Sequence, residues 1–144
     1  MVEQRPPARL FTVEEANRLL PEVRVILQEL QRRRQRIQKL EAKKAVEELS
    51  WLREDGSVSP RAQQALERFE QTQRKELKGF ENGLEEMGRL GAQLKDLDEG
   101  LVDFFARRGK ELVYLCWKDG EERIRFWHDL ESGFAGRRPI EELV

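Results

Sequence analysis

The spacing of apolar residues changes once along this chain, at Gly100, and that change constrains the fold more than any other feature. Before it, Ala16, Leu19, Leu20, Val23, Ile26, Leu27, Leu30, Ile37 and Leu40 recur at intervals of three and four, as do Ala62, Leu66, Phe69, Leu77, Phe80, Leu84, Met87, Leu94 and Leu97. Each series is one stripe of an amphipathic helix. After it, Leu101 to Ala106, Glu111 to Trp117 and Arg123 to His128 alternate with period two and are rich in β-branched and aromatic residues, which is strand patterning.

The punctuation agrees with the periods. Thr12 with Glu15 forms a capping box, and Ser59-Pro60 puts a serine at N-cap and a proline at the first helical position. Pro21 is expected to kink the first helix, or to end a short helix near Leu20 and open a second that runs to about Leu52. Asp55-Gly56-Ser57 supplies the turn between the helices. Two long helices joined by a short loop hide both stripes only when antiparallel. Gly79, Gly83, Gly88 and Gly91 are costly inside a helix, and mark either the close approach of another backbone or a helix break. Arg108-Gly109 and Asp119-Gly120 suit two-residue hairpin turns.

The expected fold class is therefore α+β in one domain, residues 1–144: a long antiparallel, coiled-coil-like helical hairpin over 12–98 with its loop near 53–59, a three-stranded antiparallel meander over 100–130 packed at one end, and an irregular tail over 131–144.

Composition supports long solvated helices. Apolar and charged residues each make up 38% of the 144 residues, against about 45–50% and about 25% in ordinary domains. The 27 Lys and Arg nearly cancel the 28 Asp and Glu, so wholesale attraction to nucleic acid or an acidic membrane is not expected. One cysteine and one histidine exclude an internal disulfide framework and a two-Cys, two-His zinc site. Met1 to Leu10 has no apolar signal region, and no stretch approaches the roughly 18 apolar residues of a membrane span, so a cytoplasmic protein is expected.

Strand register decides which side chains could meet. With two-residue turns, Leu115 faces Ile124, Val113 faces Phe126 and Phe104, Val102 faces Leu115, and Glu111 faces His128. Val102, Phe104, Val113, Leu115, Trp117, Ile124 and Phe126 then form a buried face, because side chains alternate. The outer face carries Asp103, Tyr114 and Arg125 in one row, with Arg123, Trp127 and Cys116 beside them. Three readings follow. It is a solvated face with stabilising cross-strand pairs, or a self-association or partner surface anchored by Trp, Tyr and Arg, or a small-anion or carboxylate site using an arginine fork. Cys116 and His128 project from opposite faces in this register, so no metal is expected; a β-bulge between them would reverse that. No cofactor is expected, and Cys116 lacks a base to activate it. No P-loop, dinucleotide fingerprint or serine elbow occurs, and an enzyme is not the favoured reading.

The run Gln31 to Lys44 holds Arg32, Arg33, Arg34, Arg36, Lys39, Lys43 and Lys44 against the single acid Glu41. It reads either as a phosphate-tracking stripe or as a face paired with Glu67, Glu70, Glu76 and Glu81 of the neighbouring helix. Arg33 and Gln73 fall on the apolar stripes and suggest a polar layer that sets register.

Several motifs resemble a prokaryotic family known as domain of unknown function 2203. They are Gly100-Leu-Val-Asp-Phe104, Val113-Tyr-Leu-Cys-Trp117, Gly120-Glu121, Ile124 with Phe126-Trp-His128, Gly133-Phe-Ala-Gly-Arg137 with Pro139, and Phe11-Thr-Val-Glu-Glu-Ala-Asn-Arg-Leu-Leu-Pro21. The resemblance spans nearly the whole chain and implies a small cytoplasmic bacterial protein with no established activity and no catalytic residues to carry over. The favoured function is a non-enzymatic interaction or scaffolding module that forms a homodimer. A ligand module on the outer sheet face and nucleic-acid binding through residues 32–44 are the alternatives.

Overall fold

The computed structural model describes residues 9–51 and 53–143. Helix α1 is Val13–Trp51 and helix α2 is Pro60–Arg89. The expected end near Leu52 falls outside the described residues. The capping box is formed: Thr12 Oγ1 accepts the Glu15 N–H and Glu15 Oε1 accepts the Thr12 N–H, both at 3.1 Å. Ser59 Oγ likewise accepts the Ala62 N–H at 3.1 Å. Pro21 lies inside α1, so the expected division near Leu20 does not occur; the helix forgoes one bond, to the Asn17 carbonyl, and continues. Neither does α2 run on to Leu97. Gly91 adopts φ +85°, a conformation glycine takes without strain. Its N–H bonds the Gly88 carbonyl while Ala92 N–H bonds Met87, closing the helix end.

The chain then builds an antiparallel sheet of five strands, not three, in the order β1 (Gln93–Asp96), β2 (Leu101–Arg108), β3 (Glu111–Lys118), β4 (Phe126–Asp129), β5 (Arg138–Pro139). The added strands are both short edges. β1 hid in the helical stripe because Leu94 and Leu97 keep three-residue spacing, and β5 hid in the glycine- and proline-bearing tail, at an edge where a proline is tolerated.

Both hairpin registers differ from expectation, with opposite consequences. Between β2 and β3 the turn is Gly109-Lys110, since Arg108 pairs with Glu111, and Phe104 meets Leu115 rather than Val113. That displacement is even, so every side chain keeps its face. Between β3 and β4, Glu121 N–H does bond the Lys118 carbonyl at 3.0 Å, as a tight turn at Asp119-Gly120 requires. Residues 121–125 then leave the ladder. Trp117 Nε1 donates to the Glu121 carbonyl at 2.9 Å, and the Ile124 N–H donates to Asn17 Oδ1 on α1 at 2.7 Å. Pairing resumes with Tyr114 opposite His128, three residues beyond the expected Arg125. An odd displacement turns β4 over. Trp127, expected on the outer face, is buried opposite Leu115 and donates Nε1–H to the Pro139 carbonyl.

Two compact units partition these elements, and both helices contribute to each: one takes in the chain up to Gln28 and from Leu84 onward, the other is Glu29–Gly83. In the first, Val102, Phe104, Val113, Leu115, Trp117 and Trp127 form a fully buried layer with Phe11, Ala16, Leu20, Val23 and Leu27 of the chain start and α1. Phe11 meets Phe104 edge-on at 5.2 Å, and Arg24 lies over the Trp117 ring. In the second, Glu76 bonds Arg33 and Arg36, each at 3.2 Å, Gln73 reaches Glu41, and Trp51 meets Phe69. Gly79 and Gly83 are places of close approach, since a Cβ there would collide with the Arg33 guanidinium or with Leu30.

Candidate functional site

The expected row of Asp103, Tyr114 and Arg125 does not form. Asp103 pairs with Cys116, Tyr114 with Phe105 and His128, and Arg125 sits exposed in the loop before β4. Arg123 is exposed in the same loop, and both arginines border a hollow of about 490 Å3 with Asn17, Ile140 and Glu141, away from Asp103. The arginine fork and the tryptophan anchor are therefore absent from the face that holds Tyr114.

What the register assembles instead is Asp103, Cys116 and His128, one residue from each of three neighbouring strands on one side of the sheet. This corrects the expectation that Cys116 and His128 face apart: the segment 121–125 supplies the irregularity that turns β4 over. One ligand atom from each lies within 4.8 Å of the others, and all three residues are buried. It is the one such group of three or more His, Cys, Asp or Glu residues among the described residues.

The histidine is held at both nitrogens. Nδ1 lies 2.6 Å from the Asp129 carbonyl, which can only accept, so Nδ1 carries a proton. Nε2 lies 3.1 Å from Asp103 Oδ2. Glu111, which the expected register sets opposite His128, instead pairs with Arg108. Asp129 is fixed in turn: the Ser132 N–H at 2.6 Å and the Glu131 N–H at 3.0 Å donate to its Oδ1, holding its carboxyl below the usual range. Burial alone would lower the His128 pKa. The hydrogen bonds to Asp103 and the Asp129 carbonyl, with both carboxylate charges, outweigh burial and leave it raised. The other Asp103 oxygen, Oδ1, is buried with no hydrogen-bond partner.

Burial first, then the neighbouring Asp103 charge, pushes the Cys116 thiol up to about 12, although Arg137 pulls the other way. A thiol with that pKa carries almost no thiolate at neutral pH. Arg137 pins the tail here, donating from Nη2 to the Cys116 carbonyl at 3.1 Å and to Glu121 at 2.6 Å. It was missed because nothing in local spacing connects a tail arginine to a central strand.

A cavity of about 160 Å3 opens from the three side chains and is bordered also by Lys95, Tyr114, Leu130, Glu131 and Phe134. Tyr114 stacks on Phe105, donates its hydroxyl to Gln93 and accepts from Lys95 Nζ at 3.3 Å, so it forms a wall between the triad and the sheet edge.

Fold and site together define an α+β protein with a buried acid–thiol–imidazole cluster. The chain belongs to the family described as uncharacterized conserved protein (DUF2203), whose model matches residues 9–140. No curated protein and no solved structure matches it. Among the described residues no helix is long and apolar enough to cross a membrane.

Proposed function

We propose that the chain is a non-enzymatic interaction module that self-associates as a homodimer through its Glu29–Gly83 unit, whose two helical segments form a coiled-coil-like antiparallel hairpin. One observation carries this reading: of the described residues in that unit, only Leu30 and Ala62 have buried apolar side chains. Two helices with so little core do not offset the entropy of ordering their residues. Val46 and Leu49 add to the deficit, being 69% and 83% exposed. At about 100° per residue they lie on the side of α1 opposite Leu40 and Trp51, which face α2. The bonds from Glu76 to Arg33 and Arg36, from Gln73 to Glu41, and the Trp51–Phe69 contact support the antiparallel pairing. An unactivated thiol at the only cysteine supports a non-enzymatic role, and a reducing bacterial cytoplasm suits it.

Light scattering at high micromolar concentration tests the reading. A dimer that Val46→Glu and Leu49→Glu dissociate, with loss of helical signal, is expected; a wild-type monomer overturns it. Nucleic-acid binding through residues 32–44 is less favoured because Arg32, Arg33, Arg36 and Lys44 already pair with Glu29, Glu76 or Glu48. DNA or RNA retention that falls steeply with salt would favour it instead.

A further inference from the structure

We propose that Asp103, Cys116 and His128 form a binding site for one borderline-soft divalent transition metal ion of the zinc, cobalt or iron(II) type, with a fourth coordination position open to the adjoining cavity. Four independent features support it.

The donor set comes first. A thiolate, an imidazole and a carboxylate are the three side-chain types that bind zinc, whereas calcium and magnesium take oxygen donors alone. Second is spacing. Tetrahedral bonds of 2.0–2.3 Å place ligand atoms roughly 3.3–3.8 Å apart. Asp103 Oδ2 and His128 Nε2 already stand at 3.1 Å, and the whole set falls within 4.8 Å. Small rotations about χ1 close the remainder, because each residue comes from a different, hydrogen-bonded strand.

Third is the second layer. The proton on Nδ1 is committed to the Asp129 carbonyl, which leaves Nε2 as the nitrogen that can offer a lone pair toward Asp103 and Cys116. A ligating histidine is oriented in this way, with its other N–H on a carbonyl or carboxylate. The Asp129 side chain, fixed by two backbone N–H groups, holds that carbonyl in place. Fourth is Oδ1 of Asp103, a buried carboxylate oxygen without a hydrogen-bond partner on a residue only 3% exposed. Native proteins seldom leave such an atom unsatisfied. The neighbouring Cys116 thiol is at most a weak donor to Asp103, and a cation beside the carboxylate supplies the stronger partner.

Three protein ligands with a cavity at the remaining position is the arrangement of an open site, not of a closed structural one. The entering ion displaces to solvent the thiol proton of Cys116 and the proton shared between His128 Nε2 and Asp103 Oδ2, and the site then presents a neutral imidazole, a thiolate and a carboxylate.

The experiment is a titration of chelator-treated, full-length protein with Co2+. One ion per chain is expected, with a sulfur-to-cobalt charge-transfer band that Cys116→Ser abolishes. Asp103→Asn should weaken binding by at least about tenfold, the scale on which even outer-layer partners act. Cadmium-113 NMR of the unmodified protein reads the same donor set and stands if a variant fails to fold. A resonance in the range of mixed sulfur, nitrogen and oxygen coordination supports the site. No bound Co2+, or Co2+ bound without the charge-transfer band, overturns it and leaves the three residues as an Asp–His clasp beside a buried thiol.

Discussion

The unit built on the sheet and the Glu29–Gly83 unit use similar amounts of charge to opposite ends. In the first, one face of the sheet and the start of α1 exclude water from Phe104, Leu115, Trp117, Val23 and Leu27. Its pair of Asp103 and His128 is 3–4% exposed and held from two strands, β2 and β4. In the second, Arg36 is 46% exposed while it bonds Glu76, and nearly all the described apolar side chains are half-covered or exposed. Burial gives one unit an individual architecture; in the other, helix propensity, end caps and solvated ion pairs fall short of what packing supplies, and the proposed second copy makes up the difference.

Single substitutions should tell the two units apart. The largest expected effect is Phe104→Ala, at about 3–5 kcal/mol by chemical denaturation, because a fully buried ring leaves a cavity. Leu49→Ala at 83% exposure should stay within about 0.5 kcal/mol in the dissociated chain. Equal costs would show that the two units are not packed differently.

Next is Asp103→Asn in metal-free protein, expected to cost about 1.5–3 kcal/mol through loss of a charged hydrogen bond. It also changes the pH profile. The His128 pKa is raised in the folded chain, so its contribution is complete below the unfolded value near 6.5 and is lost as pH rises through the higher folded value. Wild type should therefore lose stability over that window, and Asp103→Asn should flatten the slope. A profile unchanged by the substitution would remove the clasp from the account.

Thr12→Ala and Ser59→Ala should each cost about 1 kcal/mol, as each deletes an N-cap acceptor. Glu76→Gln should cost less, below about 1 kcal/mol and vanishing in concentrated salt. A salt-insensitive loss would show that the Glu76 pairs are effectively dry.

The helices were legible from sequence because their signals are local: Thr12 with Glu15, Ser59 with Pro60, and stripes at three and four. The sheet's central pair was legible for a weaker reason, since a two-residue slip preserves sidedness and Phe104 stays in the core whether it meets Val113 or Leu115. β4 was not legible. Its register depends on Trp117 bonding the Glu121 carbonyl and on Asn17, more than one hundred positions earlier, taking the Ile124 N–H. Periodicity within 119–128 carries no trace of either contact. The same three-residue displacement sends Arg125 and Trp127 away from Tyr114 and brings His128 to Asp103 and Cys116. The ligand set thus escaped a residue-by-residue reading although each of its members had been singled out.

The whole site rests on β4 being turned over, and cross-strand nuclear Overhauser effects read that directly. Contacts linking Tyr114 with His128 and Leu115 with Trp127 are predicted. Contacts linking Tyr114 with Arg125 and Val113 with Phe126 would contradict the account, because they would return Cys116 and His128 to opposite sides of the sheet.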